Sequence, residues 1–415
     1  MTATEHQGLD VEAVRADFPI LSRTVGEDTP LVYLDNAATT QSPTSVIEAM
    51  NEYYRTYNAN VHRGIHQLSM EASIEYEEAH DRIARFIGAA GREEIVFTKN
   101  TTASMNLAAQ AWGREHLEPG TAVVLTEMDH HASLVPWTQM AERTGAEVRH
   151  IPIDDHGRLD LERAAELIDD DVEMVSVPHV SNTLGTVNPL STLADMAHEH
   201  DALILGDGAQ AVPNRPVDVA ALDVDFYAFS GHKMAGPTGI GVLYGRESLL
   251  ESMEPFQFGG GMIERVTLDG ATWAELPWKF EAGTPPIAEG VGLAEAADYL
   301  DHLGMDRVQA HEEQLTQYAH ERLAERDDVT VYGPPPGEDR GGLVSFTLDG
   351  VHPHDLSSIL NEAGVAVRAG DHCTQPLHDC LGIPASARAS FYVYNTTEEV
   401  DVLLEGLDTA RELFA

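Results

Sequence analysis

Lysine is nearly absent from this chain of 415 residues. Lys99, Lys233 and Lys279 are the only three among 25 basic residues; the rest are arginines. Against them stand 69 Asp and Glu, a formal net charge of −44. Positive charge is too scarce for nucleic acid or an anionic membrane as partner, because both repel an acidic surface. Cysteine is scarce too: Cys373 and Cys380 make no disulfide framework. No apolar run reaches the roughly 18–20 residues that span a bilayer. The first twenty residues lack the basic and apolar regions of a signal peptide. These absences predict a soluble, cytoplasmic protein. They also limit mechanism, since Schiff-base chemistry has three candidate amines.

What is present is a foldable chain. Hydrophobic residues make up 43 %, enough for a sizeable core, and the acidic residues are spread rather than blocked. A carboxylate-rich surface almost without lysine fits very high salt, where screening removes self-repulsion. The source is read as a halophile.

From about residue 31 short apolar runs alternate with helical patterns, which predicts an α/β fold. The expected strands are 94–98, 122–126, 172–177, 202–207, 225–230 and 241–245. Helical patterns lie between them, such as 101–112, 161–168 and 190–200. A long helical stretch over 288–325 should break near Gly304. The tail reads as strands 343–348, 365–368 and 388–395 with helices 353–363 and 398–414. This predicts a large domain of 31–290 with a mostly parallel sheet flanked by helices. A smaller α+β domain would combine 1–30 with 291–415.

In open α/β sheets ligands bind beyond the carboxyl ends of the strands. Here five strand ends lead to unusual polar residues: Asn100-Thr101-Thr102, Asp129-His130-His131, His179 with Asn182, Asp207 with Gln210, and Ser230-Gly231-His232-Lys233. Thr101 and Thr102 at a helix start offer hydroxyls and free N–H groups to a phosphate, although a plain helix cap uses the same residues. Asp207 ends a buried strand, where a carboxylate needs a cation or a pyridinium N–H; an arginine would also serve. Lys233 follows an apolar strand and suits a Schiff base. Lys279, between Trp278 and Phe280, reads as a surface cation packed on aromatics. Together with a histidine able to stack on a ring, these groups describe a site for pyridoxal 5′-phosphate. The segment 236–241 has the wrong glycine order for a nucleotide loop and reads as a turn.

Cys373 lies in a loop bounded by glycine and proline, with Arg368 and His372 near it. Positive neighbours favour thiolate, the nucleophilic form, whereas Asp371 opposes it. Cys380 reads as a buried apolar residue. Zinc at Cys373, His378 and Cys380 lacks the paired spacing of structural sites, and His62 with His66 gives only a weak metal pair; no metal is expected. Arg388, at a strand start, suits a carboxylate clamp.

With these residues in view, the chain closely resembles cysteine desulfurases of the SufS group, in the class V aminotransferase-like branch of fold-type I pyridoxal phosphate enzymes. The resemblance rests on 33–41, 61–69, 128–137, 179–189, 207–212, 225–245, 280–286, 367–377 and 388–395, nearly the whole length. It implies that Lys233 carries the cofactor as a Schiff base and that His130 stacks on its ring. Asp207 would pair with the ring nitrogen and Gln210 with the phenolic oxygen. Thr102, Ser230 and His232 would hold the phosphate, with Thr284 reaching over from a second subunit of a homodimer. Asn182 and Arg388 would bind the substrate carboxylate, while His62, Arg63 and Arg368 line the substrate side. Cys373 would accept sulfur from L-cysteine as a persulfide, leaving L-alanine, and pass it on for iron–sulfur cluster assembly.

Two departures stand out. Asn100 and Ala103 flank the threonines where the family commonly has Gly and Glu, and Asp371 replaces the first of two histidines before the cysteine. Residues 352–355 resemble the form that works with a zinc-containing SufU acceptor, which His354 would meet; a SufE-type acceptor is the other choice. The rival functions are a selenocysteine lyase, a class V aminotransferase and, further off, a non-enzymatic scaffold.

Overall fold

The computed structural model describes residues 8–26, 28–62 and 64–414. Seven strands form the large sheet: β1 (Ile95–Thr98), β2 (Ala122–Thr126), β3 (Glu147–Ile151), β4 (Val172–Pro178), β5 (Leu203–Asp207), β6 (Phe226–Ser230) and β7 (Gly241–Gly245). Their spatial order is β1-β7-β6-β5-β4-β2-β3. All neighbours are parallel except β7, which runs antiparallel to both β1 and β6. The parallel strands are Val-, Ile- and Leu-rich because helices cover both faces.

A second sheet holds β8 (Val329–Tyr332), β9 (Leu343–Leu348), β10 (Arg368–Gly370) and β11 (Ser386–Ser390), antiparallel in the order β8-β9-β11-β10. Two expected strands differ. The stretch 365–368 divides: Val365–Ala366 pairs in parallel with Val32–Tyr33, and Arg368 starts β10. The expected strand over 388–395 is β11, and it ends at Ser390. Strands β3 and β8 were not expected; both are only partly buried edge strands whose charged or polar residues blur the apolar run.

The helices that position the site are α1 (Gln67–Phe86), α2 (Thr101–Leu107), α3 (His131–Thr144), α4 (Ile287–Leu303), α5 (Met305–Ala324), α6 (Pro353–Glu362), α7 (Gln375–Cys380) and α8 (Thr397–Phe414). Helix α1 buries Ala72, Tyr76, Ala79 and Ile83, one face at helical spacing. That face meets α4, where Gly290 lets the Tyr76 ring approach; an added Cβ would stand 3.0 Å from it. Gly304, at φ 85°, separates α4 from α5 as its sequence position predicts.

The core has two centres. One surrounds the large sheet and takes in α1 and α4. The other joins β9 and β11 to α5, α6 and α8 through Phe346, Leu356, Leu360 and Leu403, and draws in Val32 and Leu34 from the start of the chain. Each such side chain contributes roughly 1.5–3 kcal/mol when fully buried. The carboxyl edge of the large sheet faces this second unit. Among the described residues no helix is long and apolar enough to cross a membrane.

Candidate active site

A cavity of about 200 Å³ lies at that edge. The large sheet supplies Thr101 and Thr102 beyond β1, His130 beyond β2, Asn182 beyond β4, Asp207 and Gln210 at and after β5, and Ser230, His232 and Lys233 at and after β6. The small unit supplies Arg368, Cys373 and Arg388. Twelve residues singled out from sequence therefore line one space. His62 and Thr284 do not. They line a separate cavity of about 290 Å³ with Asn60, Gly261 and Gly283. Arg63 lies outside the described residues. His354 is exposed near the start of α6, its ring stacked on His352 at 5.4 Å.

Burial sets the charges on the large-sheet wall. Lys233 is pushed down from 10.5 to about 8 by burial, with Arg388 adding to the shift and Asp207 opposing it. Burial also raises the Asp207 carboxyl, against the Ala209 N–H, which reaches its Oδ1 at 3.0 Å, and against the Lys233 charge. His130 falls to about 3 through burial and the positive charge of Lys233. Its Nδ1 accepts the Ala132 N–H at 3.0 Å, so hydrogen-bond accounting puts the single ring proton on Nε2. Behind Asp207, His179 donates its backbone N–H to the Asp207 carbonyl and shares a 2.6 Å hydrogen bond through Nδ1 with Tyr227.

Asn100 caps α2 by accepting the Ala103 N–H at 3.0 Å. Thr101 is spent on the protein itself: its N–H donates to Ser230 Oγ at 2.8 Å, and the two hydroxyls meet at 2.6 Å. Thr102, exposed to the cavity, remains available. Strand β7 closes up behind this turn because Gly241 carries no side chain; a Cβ there would stand 2.6 Å from Asn100 Cα. His232, pushed down to about 4 by burial and Lys233, is uncharged near neutral pH.

The opposite wall is held by different means. Buried Arg388 donates from Nη1 to the Asn182 carbonyl at 2.7 Å, and its Nη2 lies 3.4 Å from Asp35 Oδ1. Its Nε has no hydrogen-bond partner among the described residues. The Asn182 side chain donates to the His372 carbonyl at 2.8 Å. His372 and Cys373 both adopt left-handed backbone conformations, φ 51° and 60°, which cost non-glycine residues roughly 1–2 kcal/mol each. Strain of this kind persists only where the surroundings over-determine it.

Sequence reasoning assigned no role to Asp35, although it lies in the motif 33–41; a carboxylate following an apolar run was the available signal. It named His131 without giving it a role; its backbone N–H donates to the Cys373 carbonyl at 2.8 Å and its Nε2 accepts the Gln375 N–H. Two other expectations are corrected. Lys279 is buried rather than a surface cation, with Nζ donating to the carbonyls of Leu250 and Glu251, though it does stand 5.3 Å over the Phe280 ring. Cys380 is exposed rather than buried. Among the described residues no group of three His, Cys, Asp or Glu could hold a metal ion.

The donor set fits pyridoxal 5′-phosphate. The cavity offers a carboxylate that would pair with a ring N–H, an amine of lowered pKa that would take up an aldehyde, and an uncharged imidazole and hydroxyl groups that would hold a phosphate. Of the Arg388 guanidinium nitrogens, the buried Nε is the one with no hydrogen-bond partner among the described residues, while Nη1 and Nη2 face Asn182 and Asp35.

Comparison with known proteins agrees. The aminotransferase class-V family model matches residues 32–403. A cysteine desulfurase of Haloferax volcanii is 66 % identical over an alignment covering the whole of both chains. A probable cysteine desulfurase of Halobacterium salinarum is 64 % identical, again over both full lengths. Among solved structures, the apo cysteine desulfurase of Thermococcus onnurineus superposes with a TM-score of 0.91 at 42 % identity, covering 100 % of this chain and 99 % of that one. The high-salt reading of the composition accords with the two haloarchaeal relatives. The chain belongs to the class V aminotransferase family and, within it, to the pyridoxal phosphate-dependent cysteine desulfurases.

Proposed function

We propose that this protein converts L-cysteine into L-alanine, takes the sulfur onto Cys373 as a persulfide, and hands it to an acceptor protein for iron–sulfur cluster assembly. One observation carries the reading: Lys233, Asp207, His130 and Arg388 share a single cavity with Cys373. Bound pyridoxal phosphate supplies the electron sink that stabilises negative charge at the substrate carbons.

The chain's own residues do the rest. Asp207 would hold the ring N–H. Gln210 would bond the phenolic oxygen with its second N–H, the first being donated to the Ala37 carbonyl at 2.7 Å. Thr102, Ser230 and His232 would hold the phosphate, and Thr101 orients Ser230. Arg388 and Asn182 bind the substrate carboxylate, with Arg368 beside them. Lys233 Nζ would accept and return the proton at the substrate's α-carbon, and His130 would stack on the ring and help with proton transfers. Cys373 Sγ is presented to the substrate sulfur, an orientation effect.

The second cavity supports a homodimer. His62 and Thr284 line it, and large apolar side chains stand exposed in the segment after His62, among them Ile65, Met70 and Ile74. Thr284 would then reach the phosphate of a second subunit, with His62 lining that subunit's substrate side. The exposed His354 suits a SufU-type acceptor that presents zinc, with SufE-type proteins as the alternative; the setting is the cytoplasm. The large unit is proposed as 31–290 and the small unit as 1–30 with 291–415.

The test measures L-alanine and sulfide formed from L-cysteine by the loaded enzyme. Cys373→Ser should bind the cofactor normally and lose persulfide formation. A Cys373→Ser protein that desulfurates at the parent rate would overturn the role of Cys373.

A further inference from the structure

The backbone carbonyls of Asp371, His372 and Cys373 are each held by a named donor. The Asp371 carbonyl accepts both the Thr374 N–H and the Thr374 hydroxyl, each at 2.8 Å. The His372 carbonyl accepts Asn182 Nδ2, and the Cys373 carbonyl accepts the His131 N–H. The Thr374 hydroxyl also meets Thr183 Oγ1 at 2.9 Å. These partners come from α3, from the turn beyond β4 and from the loop itself, so losing any one leaves the others in place. The Cys373 N–H is held from within the loop by a side chain. Among the described residues it has one partner, Asp371 Oδ1, at 3.0 Å.

That contact decides how the strained residue is held. A left-handed cysteine is disfavoured, and an Asx-type bond from the side chain two residues earlier closes the turn in which it becomes tolerable. Asp371 is only partly buried, and its carboxyl is held below the usual range first by the Cys373 N–H. Gln375 bonds the same carboxylate, and His131 and His378 are the charged or titratable groups facing it. The carboxylate therefore spends its hydrogen-bonding capacity on the loop.

We propose that Asp371 is a positioning residue for sulfur transfer: as a hydrogen-bond acceptor, not as a charge, it fixes the Cys373 backbone so that the thiol faces the cavity. This rests on the reading of Cys373 as the sulfur acceptor. Asparagine has the same acceptor oxygen at the same reach, serine has a weaker one, and alanine has none.

The loaded enzymes Asp371→Asn, Asp371→Ser and Asp371→Ala are compared with the parent for kcat, KM for L-cysteine, pH profile and cofactor absorbance. The Asn variant should stay within about twofold of the parent in kcat with a superimposable pH profile, and the Ala variant should lose about tenfold in kcat. The Ser variant should fall between them. KM and the cofactor band should hold throughout, which a general loss of structure would not permit. Equal rates for Ala and parent would overturn the proposal. So would an Asn variant as slow as Ala, or one whose pH midpoint moves, because either result assigns the role to the charge. If the Ala variant does not fold, the order Asp, Asn, Ser decides: a Ser variant at least as fast as Asn overturns it. A Cys373→Ser enzyme of full activity instead overturns the acceptor reading, and the two failures are separable.

Discussion

The two walls of the cavity are built on opposite principles. On the large-sheet side each functional group follows the end of a buried strand, and burial is the first cause that shifts Lys233, Asp207 and His130 away from their ordinary values. On the small-unit side the groups sit on a loop and an antiparallel strand. Position there is fixed by hydrogen bonds to single atoms and by two left-handed residues. The first wall gets its chemistry from where the strands end, and little side-chain bracing is needed. The second must hold a nucleophile at the correct distance, and it does so by tying down the backbone around Cys373. The cofactor wall should therefore fail as a unit, whereas the cysteine wall should fail one contact at a time.

The largest expected effect tests the first half of that comparison. Lys233 is the one lysine in the cavity, so Lys233→Ala removes both cofactor attachment and the group that moves the α-proton. Turnover should fall by about 10²–10⁴-fold, and the Schiff-base absorbance should vanish with it, as alanine release and an absorption spectrum would record. A variant that kept its absorbance while losing activity would mean that the cofactor wall is divisible after all.

A smaller effect follows from the charge on the same residue. The reactive form of Lys233 is the free amine. With the group lowered from 10.5 to about 8, that form is scarce below pH 8 and dominant above it. Capture of added pyridoxal phosphate by the cofactor-free protein should rise about tenfold per pH unit below 8 and level off by about pH 9. A rate still climbing tenfold per unit between pH 9 and 10 would show that burial does not depress this amine. Asp371→Ala should leave the profile unmoved, because Asp371 belongs to the other wall.

The same contrast governs how much could be read from the sequence. Strands β1, β2, β4, β5 and β6 are largely apolar runs, and each ends in, or leads within a few residues to, polar groups that a buried strand end would not tolerate without a partner. Fold class and the cofactor wall were therefore legible. Strand β3 escaped notice because it is an edge strand whose residues 147–150 include Glu, Arg and His. The stretch 365–368 looked continuous, but its two halves pair with different partners, and pairing is a property of distant residues. Cys373 could be recognised by its neighbours, but its left-handed backbone and its bond to Asp371 could not, since neither leaves a spacing signal. The separate cavity at His62 and Thr284 was foreshadowed only by the resemblance, which assigned Thr284 to a second subunit.

The smallest effect tests whether the cysteine wall yields contact by contact. Behind the loop, Ser386 Oγ lies 3.0 Å from His372 Nε2 and 3.1 Å from His378 Nε2. The Thr374 carbonyl, 3.2 Å from His378 Nδ1, can only accept, so hydrogen-bond accounting places the His378 proton on Nδ1. Ser386 then donates to His378 and accepts from His372 Nε2–H. His372 is thereby held as one uncharged tautomer, in line with its fall to about 2 under burial and the charges of Arg388 and Arg368. Ser386→Ala strips both imidazoles of their shared partner in a buried place, which should lower stability by about 1–3 kcal/mol, read from the denaturant midpoint. Activity should change by less than about twofold, because Asp371 and His131, not this relay, hold the Cys373 amide and carbonyl. A tenfold loss of kcat at unchanged cofactor absorbance would make His372 part of the chemistry. A loss of cofactor capture would join the two walls that the structure keeps apart.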